Sequence, residues 1–418
     1  MRNKGVIPYS EKGNIGNKHS EDIERYNLVY EDDIVMNSMN VIIGSVGRSR
    51  YNGALSPVYY VLKNINYEDV NVKYYENVFR MTSLQRELTK YGKGILAHRM
   101  RIPMELLKNL ELPLPPKEEQ DQIVRYLDSK LSQINKFIKA KKKQIELLKD
   151  QKQAIINQAV TKGLDQNIKM KSSGIEWLGD IPEGWEVSKL GYIGRCQNGI
   201  SEAGSFFESG YPFVSYGDVY NNIHLPLKVE GVANSNMQQQ NIYSVKSGDV
   251  FFTRTSETIE EIGLSSVCLK SIENATFSGF VIRFRPFDNK LNKNFSKYYF
   301  RNNKIREYFI REMNIVTRAS LSQTLLRNMP VSLPTITEQE NISQYLDTET
   351  QIIDKVIKNI QREIDLITEY RTTLISNVVT GKVDVRHIEV EGIIDSIEED
   401  FEDLDEGELS EELEMEEE

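Results

Sequence analysis

The sequence predicts an α+β protein: two mixed α/β globules alternating with two long helices that pair with each other inside one chain. Three observations carry that expectation. Residues 114–165 align without a gap on 333–384, with 18 identities in 52 positions. Each copy keeps an apolar seam at alternating steps of four and three for more than four heptads. The segments outside the copies hold short β-type runs broken by Gly, Asn and Ser.

The shared positions include Leu114/Leu333, Pro115/Pro334, Glu119/Glu338, Gln120/Gln339, Ile123/Ile342, Tyr126/Tyr345, Leu127/Leu346, Asp128/Asp347 and Thr161/Thr380. A gapless match of that length marks an internal duplication, with a period far longer than a solenoid's. From Leu127 the seam runs Leu131, Ile134, Ile138, Lys141, Ile145, Leu148, Lys152, Ile155, Ala159. From Leu346 it runs Thr350, Ile353, Ile357, Ile360, Ile364, Ile367, Arg371, Leu374, Val378. Eight of ten positions are apolar in each, the heptad pattern of a coiled coil. Lys152 and Arg371 break it at equivalent places, where a long stem can follow the seam with its charge outside. Pro115 and Pro334 precede the helices and Gly163 and Gly381 follow them, the punctuation of helix starts and stops. A helix of about 45 residues is roughly 70 Å long and cannot leave such a stripe in water. The other copy, tethered in the same chain at high effective concentration, is the economical partner.

Before the first copy come "DIVMNSMNVIIGSV" and "LSPVYYVL"; between the copies come "DVFFTRTS", "SSVCLK" and "FSGFVIRF". The globules resemble each other weakly: 31–36 parallels 247–252, 55–62 parallels 277–284, and 106–115 parallels 325–334. The duplicated unit is therefore globule plus helix. The boundaries expected are a first globule at 1–113, a first helix segment at 114–165, a second globule at 166–332, a second helix segment at 333–384, and an acidic, disordered tail at 385–418. Asp33 has 32 residues before it, whereas its counterpart Asp249 lies 79 after Met170. About 47 residues of the second globule, including "SGIEWLGDIPEGWEVSKL" (172–190), thus lack a partner in the first, which is expected to be N-terminally truncated.

The net charge of −10 hides an asymmetry. Residues 389–418 hold 17 acidic residues and no Lys or Arg, so the rest carries 52 basic against 45 acidic, a net of +7. A mildly basic body permits nucleic-acid binding without demanding it. The tail is read as a solvated end, with phosphate mimicry as the sharper alternative. No apolar run is long enough for a membrane span, and "MRNKGVIPYSEKGNIG" does not read as a secretory signal. Two cysteines, Cys196 and Cys268, cannot build a disulfide framework, so a cytoplasmic protein is expected.

Globule, helix, globule, helix in this order resembles the specificity subunit of type I restriction–modification systems. "SGIEWLGDIPEGWEVSKL" looks like that family's module opening, "LPLPPKEEQDQIVRYLD" and "VSLPTITEQENISQYLD" like the starts of its spacer helices, and "QAVTKGLD" and "NVVTGKVD" like their ends. The likeness covers about residues 1–386; the shortened first module and the acidic tail depart from it. The resemblance implies that each globule is a target recognition domain reading half of a bipartite sequence in double-stranded DNA. It implies that the helices pair antiparallel, set the spacing and dock two modification subunits, and that restriction/translocase subunits complete the complex. S-adenosylmethionine, ATP and Mg²⁺ would serve those partners, and this chain would bind no cofactor and catalyse nothing.

Candidate DNA-binding residues follow from side-chain chemistry, since Arg suits guanine edges and Asn suits adenine. In the first globule they are Asn40, Arg48, Ser49, Arg50 and Tyr51 near a turn, with Lys12, Asn14, Asn17 and Lys18 in a second polar loop. In the second they are Tyr216, Tyr220, Asn221 and Asn222, with Arg254, Thr255 and Ser256 at a strand end. Catalytic signatures are missing. "GNIGNKHS" has the wrong spacing for a phosphate loop, no Asn-Pro-Pro-aromatic methyltransferase tetrapeptide occurs, and His19, His98, His224 and His387 are scattered. A self-contained DNA-modifying enzyme, a coiled-coil scaffold and a silent, truncated cassette stay open as alternatives.

Overall fold

The computed structural model describes residues 6–12, 23–39, 45–92, 101–256, 262–287, 290–312 and 319–390. They fall into two compact units: one within Met1–Ile145 and Lys358–Glu418, the other Glu146–Ile357.

The first unit begins with β1 (Asn27–Val29), β2 (Ile34–Asn37), β3 (Val46–Arg48), β4 (Gly53–Leu55) and β5 (Tyr59–Leu62). β1 pairs with β4, and β2 lies between β3 and β5 in an antiparallel sheet. Successive side chains of a strand alternate faces, so Ile34 and Met36 enter one core with Val46, Phe79, Leu88 and Ile102. Three short helices follow, α1 (Val72–Arg80), α2 (Thr82–Thr89) and α3 (Met104–Lys108), and then the long α4 (Lys117–Lys162) begins.

After α4 the second unit adds β6 (Met170–Ser172), β7 (Asp180–Pro182), β8 (Glu186–Lys189), α5 (Leu190–Ile193), β9 (Gly194–Asn198), β10 (Tyr211–Val214), α6 (Tyr216–Tyr220), β11 (Val232–Ala233) and α7 (Met237–Ile242). Next come β12 (Val250–Thr253), β13 (Thr255–Ser256), β14 (Ser265–Val267), β15 (Thr276–Phe277), β16 (Val281–Pro286), α8 (Lys293–Tyr299) and α9 (Asn303–Glu312). β17 (Ala319–Ser320), α10 (Gln323–Asn328), β18 (Pro330–Leu333) and the long α11 (Ile336–Val379) close the chain. Its main sheet has the order β14-β12-β16-β9, repeating β3-β2-β5 with one strand more. Val250 and Phe252 of β12 enter one core while Phe251 between them enters another, so this sheet is buried on both faces.

The duplication recurs in atomic detail. The Tyr30 amide donates to Asp33 Oδ2 at 2.9 Å, and the Lys246 amide donates to Asp249 Oδ2 at 2.7 Å. Each turn puts its preceding residue, Asp32 or Gly248, at positive φ. Gln120 is fully buried; its Oε1 accepts the Asn71 amide at 2.9 Å and its Nε2 donates to the Asp69 and Pro115 carbonyls. Gln339 does the same with the Asn292 amide at 2.8 Å and the Lys290 and Pro334 carbonyls. Asn71 and Asn292 cap α1 and α8, so one amide side chain fastens each long helix to the cap of its globule's helix. Two turns further along, Asp128 meets Lys73 at 3.4 Å and Asp347 meets Lys297 at 2.5 Å. Burial pushes the Asp128 carboxyl above the usual carboxylate range while Lys73 pulls the other way.

Each unit takes one half of α4 and one half of α11. In the first, Gln122 donates to the Val385 and Ile388 carbonyls and Lys141 pairs with Glu363 at 2.7 Å. In the second, Lys152 pairs with Asp354 at 2.7 Å and the Trp185 indole bridges to Glu338. In the first unit Gln122 meets residues just past the end of α11 and Lys141 meets Glu363; in the second Lys152 meets Asp354 and Gly163, at the end of α4, lies beside Glu338. In each unit, therefore, the two helices run antiparallel. All twenty seam positions are buried or half-buried. Lys152 reaches out of the seam to its carboxylate.

Gln120→Ala or Gln339→Ala leaves an amide and two carbonyls unpaired, and each is expected to cost about 2–4 kcal/mol in urea unfolding. The Gln→Glu variants will also be destabilised, because a carboxylate cannot donate to the two carbonyls. Burial pushes the Cys196 and Cys268 thiols up to about 12. Both are therefore expected to resist iodoacetamide at pH 8 in the native protein and to react after denaturation, as mass spectrometry would show.

Candidate nucleic-acid interface

In the first unit the Ser49 and Asp32 amides donate to the Asp33 and Ser49 carbonyls, stitching residues 30–33 to 48–52. The Glu31 amide donates to Asn52 Oδ1. This stitching decides which predicted residues face outward. The Arg48 side chain is 15% exposed and is paired with Asp32. Ser49 is fully buried and its hydroxyl donates to the Tyr51 carbonyl at 2.8 Å, so it holds the turn. Arg50 is exposed and Tyr51 is 43% exposed. Beside the same turn lies exposed Tyr30, with Lys63 Nζ 4.7 Å from its ring centroid. The outward chemistry is cationic and aromatic, suited to phosphates and base faces. Asn14, Asn17, Lys18 and Asn40 lie outside the described residues; so does the Lys12 side chain, whose backbone ends a short 3₁₀ turn, Tyr9–Lys12.

In the second unit, Ser215 and Asp218 form a capping box that starts α6. The rings of Tyr216 and Tyr220, one turn apart, stack with centroids 5.8 Å apart. Asn221 is exposed, whereas Asn222 folds back to donate to the Asp218 carbonyl at 3.0 Å. The Arg301 guanidinium donates to the carbonyls of Val219, Asn222 and Ser265; burial lowers its pKa to about 10. It fixes the backbone beneath these residues without facing solvent charge.

Arg254 and Thr255 have structural partners too. Arg254 Nη1 donates to the Gly279 carbonyl at 3.2 Å and its amide to the Phe280 carbonyl. Thr255 pairs with Ser320 in the β13–β17 ladder; Ser256 shares that strand, and its side chain lies outside the described residues. What Arg254 braces is the turn joining β15 to β16, which presents Phe280 at 64% exposure. The Ser278 amide donates to the Val214 carbonyl at the end of β10, so the turn also adjoins the strand leading to Tyr216. Two clusters far apart in sequence thus meet around one turn. Phe280 escapes sequence reading because "FSGFVIRF" alternates like one strand, though Ser-Gly is a turn signal. Gly279 is closely packed there: an added Cβ would sit 2.1 Å from the Ser201 hydroxyl and 3.0 Å from the Ile200 carbonyl oxygen, so Ser201 would have to turn away. Among the described residues no cluster of His, Cys, Asp and Glu could hold a metal ion, and no helix is long and apolar enough to cross a membrane.

Comparison with known proteins agrees with this geometry. The family described as "Type I restriction modification DNA specificity domain" matches residues 1–147 and again 182–366. The type I restriction enzyme MjaVIII specificity subunit of Methanocaldococcus jannaschii is 26% identical over 403 residues, 92% of this chain and 88% of the relative. The EcoKI specificity subunit of Escherichia coli is 22% identical over 283 residues, 66% of this chain and 58% of its own length. A solved structure, titled for complex assembly and conformational transition of the type I R-M system, shares the fold at a TM-score of 0.68 and 15% identity, over 87% of this chain and 85% of that one. Two matches of one family description, laid over two copies of one globule-and-helix unit, place the chain in the type I restriction–modification DNA specificity family.

Proposed function

We propose that this chain is the sequence-reading, non-catalytic subunit of a type I restriction–modification complex, acting on double-stranded DNA in the cytoplasm. The observation that carries the reading is the repeated clamp. Each globule is fixed to one long helix by the same buried glutamine, which is what two separately varied readers on a common frame require. Residues 1–113 and 166–332 would be the target recognition domains and 114–165 and 333–384 the spacer helices. Phosphate contacts would supply most affinity, and side chains on the rims the base discrimination. Arg50, Tyr51 and Asn221 keep their places as candidate contacts, joined by Phe280, while Arg48, Ser49 and Arg254 serve mainly to hold the turns. The chain binds no cofactor of its own; S-adenosylmethionine, ATP and Mg²⁺ belong to its partners' chemistry.

The modification subunits would dock on the helices. In the second unit Tyr345, Ile352 and Val356 are exposed on α11 and fall within one stripe at about 100° per residue. An apolar stripe of that kind marks a partner surface.

The deciding experiment is co-expression with the modification subunits and mapping of methylated adenines across a genome. A bipartite motif should appear, and it should vanish without this chain. Inserting one heptad into both helices beside the Lys141–Glu363 pair adds about 10.5 Å to the strut. At about 3.4 Å per base pair, the gap between half-sites should then widen by about three base pairs. In the assembled complex Arg50→Ala and Phe280→Ala should each weaken binding by about 1–3 kcal/mol if they touch bases. An Arg50 held only by phosphate would instead lower the salt slope by about one. Ile352→Asp with Val356→Asp should abolish co-purification of the modification subunits while leaving the unfolding curve in place.

A further inference from the structure

Each globule places an arginine nine residues beyond the asparagine that its clamp holds: Asn71 and Arg80 in the first unit, Asn292 and Arg301 in the second. Both follow a buried phenylalanine, Phe79 or Phe300. Each arginine carbonyl accepts a glutamine side-chain amide, from Gln85 at 3.1 Å in the first unit and from Gln153 of α4 at 3.3 Å in the second. The two backbones are anchored alike, and neither arginine takes part in the clamp or the seam. Their side chains reach the edge strand of each sheet.

In the second unit Arg301 Nε donates to the Ser265 carbonyl at 2.6 Å, where edge strand β14 starts. Its Nη2 donates to the carbonyls of Val219, Tyr220 and Asn222 at 3.2, 3.4 and 2.9 Å. α6 ends at Tyr220, and the last carbonyls of a helix have no partner inside it; a cationic side chain can take them. Past this corner the chain lies along β14, the Leu225 amide donating to the Val267 carbonyl at 3.0 Å. One planar fork thus joins two segments at a fixed angle, and Tyr216, Tyr220 and Asn221 stand on one of them. Arg80 does the equivalent through an intermediary. Its Nη2 pairs at 2.8 Å with Glu76, one turn back on α1, and the same carboxylate oxygen accepts the Arg48 amide at 3.1 Å. Only 26% and 16% of the Arg80 and Glu76 side chains are exposed. Arg48 ends β3, the counterpart of β14, and Arg50 and Tyr51 follow directly.

We propose that Arg80 and Arg301 are equivalent positioning residues. Each sets the pose of its own globule's reading segment, so base discrimination at each half-site depends on an arginine that makes no base contact itself. The inference deepens the DNA-reading proposal and rests on it. Direct readout needs a side chain aligned with a base edge. Shifting the backbone that carries the side chain forfeits that alignment, while phosphate contacts, which carry no sequence information, survive. The two arginines serve separate globules, so removing one blunts one half-site alone.

The test uses the complex assembled with the modification subunits, in competition binding against duplexes changed by one base pair in either half of the motif it methylates. Arg301→Met should lower discrimination about tenfold at one half-site and leave the other within about twofold. Arg80→Met should do the same at the opposite half-site. A loss of folding stability alone would weaken both halves together. In the free chain, hydrogen exchange should quicken at 219–225 in Arg301→Met and at 48–51 in Arg80→Met. Where a Met variant unfolds in urea, a milder one is read in its place. Arg301→Lys puts one ammonium where a fork spanned two segments, and Glu76→Gln keeps an acceptor for Arg48 without the ion pair; each should show a one-sided loss of about threefold. Equal loss at both halves, or discrimination within about twofold of wild type in either globule's variant, would overturn the proposal with DNA reading intact. A wild-type complex that methylates no bipartite motif would instead overturn the reading beneath it.

Discussion

One buried amide per copy, Gln120 or Gln339, is the constraint on which the rest of the structure depends. Each spends its carbonyl on a helix-cap amide and its amino group on two carbonyls from separate turns. No other neutral side chain offers two donors and an acceptor in one plane at that reach. The globule therefore cannot rotate about its long helix without leaving buried groups unpaired, and such groups are costly. The clamp holds each globule in a fixed orientation on its own long helix.

The second layer of order is electrostatic and modest. Lys141–Glu363 and Lys152–Asp354 lie at the edge of the seam and are partly exposed, so each contributes little to stability by itself. Their value is in choosing direction and register, since a shifted or reversed pairing would separate them. The deeper pair, Arg285 with Asp249, ties the end of β16, an interior strand, to the Asp turn before β12. There the carboxylate is almost wholly buried, so removing the arginine alone would strand a charge.

Much of this was legible in the sequence. Heptad spacing identified the helices and their seam because one face of a helix recurs in a fixed count of residues. The duplication was legible because it is gapless. The clamp was not: Gln120 stood among the identities, but its partner Asn71 lies 49 residues upstream, and no periodicity joins them. At the candidate interface, Arg50 and Tyr51 are exposed, while Ser49 and Arg48, chosen for the same chemistry, are held inward by Asp32 and by the turn. What turns these residues inward is the hydrogen bonding of the turn after β3, with partners at Asp32 and Asp33 that no local pattern in the sequence reveals. Phe280 was hidden because two strands and a turn read as one strand.

The sheet of the second unit, with Val250 and Phe252 on one side and Phe251 on the other, has a consequence for how such a protein can change. A strand packed on both faces has little room for a side chain of different volume. The ends of β12 and β16 instead carry Arg254, half-buried, and Phe280, exposed. Substitution there can reshape the outer surface while the interior keeps its packing.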